Sequence, residues 1–544
     1  MSGPAATLSI EDLTVQLPIG ADREHAVQNV SFQIRPGELL CLVGESGSGK
    51  SIIAQTVMGL LPRQVRPVGG RVHLDGEDLL AASPRRLRQL RGVRMGMIFQ
   101  EPMTALNPLM TCGAQVKEML ARHTNLSAKE RRERVLQMLE RVRLPDAKTL
   151  QSAYPHQISG GQRQRVMIAM ALALAPALLI ADEPTTALDV TTQARILRLL
   201  RELQRASQTA VLFITHDLGV VAEIADRIAV LHRGELVESA PARELLARPQ
   251  SAYTRMLLDS VPSLVPRKSP VDERAAIQVR TRQLTKIFDE KGWFRRRRRI
   301  AAAIEVGLEL RRGETLGIVG ESGSGKSTVA RMIAHLLEAS GGSVEVDGAE
   351  VTHLKGPRAR AFRRKVQIVF QDPYRSLNPR RTVGSAIVEG PRNFGAGKEA
   401  AWQRACELME LVRLPPGALH RYPDEFSGGQ RQRICIARAL AVGPEVLIAD
   451  EAVSALDVSV QAQILRLLDE IQERLQLTIL FITHDLRVAA QICNRIAVMH
   501  RGQIVEEGSA ASIFREPKHE YTRTLLAAAP GREISFKAQA PPGP

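Results

Sequence analysis

Val43-Gly44-Glu45-Ser46-Gly47-Ser48-Gly49-Lys50-Ser51 and Val319-Gly320-Glu321-Ser322-Gly323-Ser324-Gly325-Lys326-Ser327 are one nine-residue string met twice in a single chain. Each fits G-x-x-x-x-G-K-[ST], a loop that cradles the phosphates of a nucleotide. Its glycines let successive N–H groups turn inward on an anion, and a following helix adds the positive end of its dipole. The lysine reaches the outer phosphates and the serine hydroxyl is a magnesium ligand. Arginine far outnumbers lysine here, yet both loops carry Lys. A compact ammonium is wanted, which a planar guanidinium does not replace. One such string can be a chance Gly/Ser turn; two argue for paired sites.

Working outward, the two halves match well beyond the loop. Ser159-Gly160-Gly161-Gln162-Arg163-Gln164-Arg165 returns as Ser427-Gly428-Gly429-Gln430 and onward to Arg433. Leu179-Ile-Ala-Asp182-Glu183 returns with Asp450 and Glu451, Ala187-Leu-Asp-Val190 as Ala455 to Val458, and Phe213-Ile-Thr-His216-Asp-Leu218 with His484. Spacing from the Ser-Gly-Gly-Gln string to the histidine is identical in both copies, while length varies around Gln100 and Gln371. A period this long is a tandem duplication, not a solenoid.

Each half reads as α/β. Leu39-Leu-Cys-Leu-Val43 and Thr315-Leu-Gly-Ile-Val319 are short apolar runs ending at the loop, hence buried strands feeding a helix. Residues 177–181 and 211–214 read as further core strands, each ending at acidic or histidine chemistry, where ligands sit in open parallel sheets. The apolar stretch 166–181 is broken by Pro176 and falls short of the ~20 residues a bilayer needs, so it reads as a buried helix and strand. No transmembrane segment and no signal peptide are expected. Between Gln100 and Ser159 the pattern turns helical and charged, predicting an inserted helical subdomain. The expected limits are a first domain 7–259, a Pro- and charge-rich linker 260–276, a second domain 277–529 and a tail 530–544.

The candidate chemistry follows from position. Asp182 and Asp450 end apolar strands, where a carboxylate holds Mg²⁺ through water. Glu183 and Glu451 are placed to orient or deprotonate an attacking water, with His216 and His484 beside them. The amides of Gln100 and Gln371 are within expected reach of both metal and water. Ser159 to Gln162 and Ser427 to Gln430 precede long helices and form second anion sites. The helical insert separates each from its own phosphate loop, so each is expected to serve the other half.

A net charge of +16 and a pI near 10.1 suggest an acidic partner: nucleic acid, anionic lipid or nucleotide. An arginine-rich solvated surface accounts for the same charge. Aromatic residues at 3% disfavour a base-stacking surface. Cys41, Cys112, Cys406, Cys435 and Cys493 lie far apart, so neither disulfides nor a zinc site is expected, which suits the cytosol.

Phosphate loop, glutamine, Ser-Gly-Gly-Gln, Asp-Glu, Ala-Leu-Asp and histidine together resemble the ATPase subunits of ABC transporters, over nearly the whole chain. Phe99-Gln-Glu-Pro-Met-Thr-Ala-Leu-Asn-Pro108, Phe370-Gln-Asp-Pro-Tyr-Arg-Ser-Leu-Asn-Pro379, Ala252-Tyr-Thr-Arg255 and Glu520-Tyr-Thr-Arg523 are similar to the peptide, nickel and opine importer group. The resemblance extends to the fused ATPases of bacterial glutathione and dipeptide importers. It implies two tandem P-loop domains closing head to tail on two ATP and Mg²⁺. Lys50 and Glu183 would then work with Ser427, and Lys326 and Glu451 with Ser159. It also implies two integral-membrane permease partners, a periplasmic binding protein acting indirectly, and a place on the cytoplasmic face of the bacterial inner membrane.

Three features depart from that pattern. Leu17 stands where Phe288 offers an adenine stack in the other half; nearby, Ile52 stands where the other half has Thr328. No cysteine cluster follows Cys493. An insert at 289–300 contains Arg295 to Arg299, either a solvated loop or a contact with the anionic cytoplasmic leaflet. Soluble tandem ABC proteins acting on nucleic acid are the rival class, but they join their halves with a long charged helix, and this linker is short and Pro-rich. Sugar importers often carry one degenerate site, whereas both sites here keep Lys, Gln, Asp, Glu and His.

Overall fold

The computed structural model describes residues 6–185, 188–267, 274–290, 298–454 and 456–532. Expectations for linker residues 268–273, for Arg295 to Arg297, for Ala187 and Ala455 of the Ala-Leu-Asp strings and for tail residues 533–544 lie outside them. Contacts divide the described chain into two compact units, one running to Val261 and including the segment that begins at Pro530, the other Pro262–Ala529.

In the first unit a parallel sheet runs in the order Arg227–His232, Leu39–Val43, Ala210–Ile214, Leu178–Asp182, Met95–Ile98, with Glu235–Pro241 antiparallel at one edge. The second unit repeats that order with Arg495–His500, Thr315–Val319, Thr478–Thr483, Val446–Asp450, Val366–Val369 and the edge strand Gln503–Ser509. The central strands are buried on both faces, as their unbroken apolar runs predict. Of the strands expected from sequence, Leu39–Val43 and Thr315–Val319 match, the one expected at 211–214 begins at Ala210, and the one expected at 177–181 is Leu178–Asp182, so the aspartate is the last ladder residue.

A second, antiparallel sheet was not read from the sequence. It comprises His25–Ile34, Leu8–Gln16, Arg66–Leu74 and Glu77–Asp78, and in the other unit Arg298–Arg311, Ile277–Glu290, Gly341–Val346 and Ala349–Glu350. Register shifts between Ile10 and Leu13 and between Thr281 and Leu284 break the two-residue alternation that reveals a half-buried strand. Part of the 289–300 insert belongs to this hairpin: Phe288 pairs with Ile300, and Arg299 lies 3.3 Å from its ladder partner Asp289. Arg299 is thus strand, not loop.

Each unit has two cores. One joins the antiparallel sheet to one face of the parallel sheet through Leu8, Val30, Leu42, Ile180 and Leu212. The other joins the opposite face to helices through Cys41, Ile168, Ile196, Phe213 and Val220. Each fully buried Leu, Ile or Phe contributes about 1.5–3 kcal/mol. The helical insert grows from the second core. Cys112–His123 and Ala128–Arg141 pack on Gly160–Leu172 through Val116, Met138, Leu139 and Ile168, and a Ser127–Glu130 capping box starts the second of them. In the other unit Val383–Asn393 and Lys398–Leu411 pack on Gly428–Leu440. Among the described residues no helix is long and apolar enough to cross a membrane.

Candidate nucleotide sites

The phosphate loops leave strands Leu39–Val43 and Thr315–Val319 and enter helices Lys50–Met58 and Lys326–Ile333. Gly44 and Gly320 have φ of 150° and 157°, and a Cβ there would sit 2.1 Å from Leu231 O or 2.2 Å from Met499 O. Only glycine passes that gap. Gly49 and Gly325 are left-handed N-caps that offer their helices no side-chain hydrogen bond. The first-turn N–H groups are thereby left for an anion. Lys50 Nζ donates to Gly44 O and Glu45 O, both at 2.8 Å, and Lys326 Nζ to Gly320 O at 2.8 Å and Glu321 O at 2.7 Å. Both ammonium groups are buried and folded over their own loops. Ser324 Oγ is buried with no hydrogen-bond partner among the described residues. An uncapped helix, a buried ammonium and an orphaned hydroxyl fit a triphosphate.

Ser51 Oγ donates to Asp182 Oδ1 at 3.1 Å, and Ser327 Oγ to Asp450 Oδ1 at 2.7 Å. Burial pushes both carboxyls above the usual range, more than the serine hydroxyls pull them down. Buried acidic oxygen paired with hydroxyl oxygen suits a hard divalent cation, and Mg²⁺ fits this donor set.

The next residue in each unit is a second carboxylate. Glu183 and Glu451 have φ of 46° and 50°, a left-handed backbone that costs a non-glycine residue of order 1–3 kcal/mol and clusters at functional sites. Gln100 Nε2 donates to Glu183 Oε2 at 2.9 Å, and Gln371 Nε2 to Glu451 Oε2 at 2.8 Å. His216 Nδ1 lies 3.1 Å from Glu183 Oε1, and His484 Nδ1 lies 3.4 Å from Glu451 Oε2. Burial alone would raise Glu451 and lower His484, but their mutual attraction wins, leaving the carboxyl below its ordinary value and the imidazole above. Each amide that donates to glutamate through nitrogen keeps its oxygen for a metal or water.

Ser159 and Ser427 cap helices Gly160–Leu172 and Gly428–Leu440. Each serine Oγ accepts from the backbone N–H of Gln162 or Gln430, whose side chain accepts from the serine N–H. The hydroxyl hydrogen stays available to donate. Gly161 and Gly429 let the caps press on neighbouring helices, since a Cβ would lie 2.6 Å from Thr192 Cγ2 or 2.3 Å from Val460 Cγ1.

The structure brings loop, Asp, Glu, Gln and His together in each unit, with Ser-Gly-Gly-Gln on a separate helix beyond the insert. Phe288 is 40% exposed with Lys286 Nζ 5.3 Å from its ring centroid, whereas Leu17 is partly buried against the core. Two contacts were missed in the sequence. Arg23 Nη2 donates to Gly47 O from the Leu8–Gln16/His25–Ile34 hairpin. Tyr253 and Tyr521 reach Glu45 and Glu321 of the loops. The repetition of Tyr-Thr-Arg in both halves was the available signal for the latter.

This constellation defines a phosphate-loop nucleoside triphosphatase, present twice. A family profile described as ABC transporter matches residues 27–186 and 304–454, and one described as the C-terminal region of oligopeptide/dipeptide transporters matches 237–303 and 505–539. The glutathione import ATP-binding proteins GsiA of Shigella sonnei (strain Ss046) and Escherichia coli (strain K12) are each 46% identical over 97% of this chain and 90% of their own. Among solved structures, a dimeric ATP-binding cassette in a post-hydrolysis state bound to ADP and Pi is 32% identical, with a TM-score of 0.40 over 43% of this chain and 99% of its own. The chain belongs to the ABC transporter family, as an ATP-binding ATPase subunit with two tandem ATPase domains.

Proposed function

We propose that this ATPase energises import of glutathione-like or short peptide substrates through two composite sites. The observation that carries the reading is that both halves keep a complete Lys–Ser–Asp–Glu–Gln–His cluster, joined to the oligopeptide/dipeptide transporter region. Glutathione comes from the names of the relatives that match nearly the whole chain.

In this reading the N–H groups of Gly44 to Ser51 and Gly320 to Ser327, with Lys50 and Lys326, bind the triphosphate, and Phe288 stacks on one adenine. Ser51, Gln100 and Asp182, with Ser327, Gln371 and Asp450, hold Mg²⁺, which when bound neutralises charge on the outer phosphates. Glu183 and Glu451 accept a proton from the attacking water, positioned by the glutamines, while His216 and His484 aim the carboxylates and His484 holds that of Glu451 anionic. Ser159 to Gln162 complete the site of the second half, and Ser427 to Gln430 that of the first. Closure on ATP then moves the helical inserts, which dock two membrane permeases at the cytoplasmic face of the inner membrane; a periplasmic binding protein supplies substrate.

Cysteines placed by Ser46→Cys and Ser427→Cys test the cross-half assembly. They should form a disulfide when ATP and Mg²⁺ are bound, and not without nucleotide. A disulfide that forms instead between Ser46→Cys and Ser159→Cys under the same conditions contradicts it. Uptake of labelled glutathione by vesicles containing the permeases and binding protein tests the substrate class. ATP-independent uptake, or none of any glutathione or dipeptide, overturns that part.

A further inference from the structure

The C-terminal segment of each ATPase domain is fastened to the phosphate loop by one tyrosine. Helix Ala252–Asp259 carries Tyr253, whose hydroxyl accepts from Glu45 N–H at 3.3 Å and whose ring stacks on His232 with centroids 3.9 Å apart. Helix Glu520–Ala527 carries Tyr521, which accepts from Glu321 N–H at 3.1 Å and stacks on His500 at 3.9 Å. The two copies arrived at one geometry with different surroundings. Ser251 caps the first helix and the His519 imidazole caps the second. Both helix starts are fixed by a carboxylate of the edge strand: Glu238 accepts from Gln250 and Ser251 N–H, and Glu506 from Lys518 and His519 N–H.

The residue held is one of the two whose carbonyls accept from the lysine. Glu45 gives its N–H to the tyrosine and its carbonyl to Lys50 Nζ; Glu321 does the same between Tyr521 and Lys326. The other side of each loop is pinned too, with Gly234 N–H on Ser48 O and Gly502 N–H on Ser324 O. When a triphosphate draws the ammonium away from these carbonyls, the peptide at Glu45 or Glu321 loses a partner. The tyrosine hydroxyl still holds its N–H.

We propose that Tyr253 and Tyr521 are positioning residues, each setting the nucleotide affinity of the phosphate loop in its own half. The oligopeptide-type C-terminal region is thereby part of the ATP site. This rests on the reading of the loops as nucleotide sites. A hydroxyl preorganising a loop changes binding more than turnover, since it lies away from the reacting phosphate.

The test is titration of the full chain with a fluorescent ATP analogue and Mg²⁺, the Lys50 site isolated by Lys326→Ala and the other by Lys50→Ala. Tyr253→Phe keeps the ring stack and removes only the hydroxyl. It should weaken the Lys50 site about two- to tenfold, the worth of one hydrogen bond, and leave the Lys326 site unchanged. Tyr521→Phe should do the converse. In the otherwise unsubstituted chain KM for ATP should rise with kcat preserved, and the nucleotide-free thermal midpoint should fall by no more than loss of one part-buried hydrogen bond gives. Unchanged affinity at the neighbouring loop, or equal loss at both sites, overturns the proposal. Parental binding by the Lys50→Ala/Lys326→Ala chain overturns the nucleotide-site reading beneath it.

Discussion

The two nucleotide sites should differ in affinity, the Lys50 site being the weaker. Thr328 lies in the first turn of helix Lys326–Ile333, half-exposed beside the loop, where its hydroxyl would donate to an inner phosphate of a bound nucleotide; Ile52, its counterpart, packs against the core. A hydrogen bond to a charged group is worth ~1.5–3 kcal/mol, part of which water replaces at a half-exposed position. Phe288 adds an aromatic stack of ~0.5–1.5 kcal/mol that Leu17 does not offer. Against this, Arg23 brings a cation to Gly47 in the first unit. The net gap is about 1–2 kcal/mol, or roughly five- to thirtyfold in dissociation constant. Titration of Lys326→Ala and Lys50→Ala chains reads each site alone, and Ile52→Thr should recover part of the difference. Equal affinities, or a tighter Lys50 site, refute the reasoning.

Two more outcomes rest on single contacts. Tyr374 is 61% exposed in the segment after Gln371, and the guanidinium of Arg431, next after Ser427-Gly-Gly-Gln, lies 4.0 Å from its ring centroid. Tyr374→Ala should lower coupled transport while sparing basal ATPase; equal loss of both argues against a docking role (the Met103 side chain, its expected partner in the other half, lies outside the described residues). Burial would raise Asp226, but hydrogen bonds from Arg201 and the Leu39 N–H, with the charges of Arg201 and Arg205, hold it below its ordinary value. A depressed folded value contributes stability above pH ~4 that is lost as pH falls through it. Asn494 accepts from Thr315 N–H at the same place in the second unit and does not titrate. The gap in thermal midpoint between parent and Asp226→Asn should therefore be present at pH 7 and shrink below pH ~4; a gap independent of pH contradicts the assignment.

What the sequence made legible were the central strands of the parallel sheet and the repeated residue types at their carboxyl ends, not Met95–Ile98, Arg227–His232 or the edge strand Glu235–Pro241. Leu39–Val43 and Thr315–Val319 are strands of the length their apolar runs state, because burial on both faces leaves an unbroken signal. The Glu–His pairs were legible as residue types at fixed spacing and the glutamines by the repeated Phe-Gln string, though not the left-handed backbone that aims Glu183 and Glu451. The antiparallel sheet was not legible. Bulges at Ile10 to Leu13 shift the register, and Arg66–Leu74 is exposed along most of its length, so alternation fails. Tyr253 was visible only as part of a repeated string; its contact with Glu45, far away in sequence, is set by tertiary packing that no local pattern encodes.

Glu183 and Glu451 are proposed to activate water at two ATP sites whose phosphate loops and lysines bind nucleotide without them. The most direct measurement is hydrolysis and nucleotide retention by the Glu183→Gln/Glu451→Gln chain with ATP and Mg²⁺. Loss of a general base should cut turnover by about a hundredfold or more, while the loops, Lys50, Lys326, Asp182 and Asp450 keep ATP bound in a closed form. Hydrolysis at the parental rate would contradict the account.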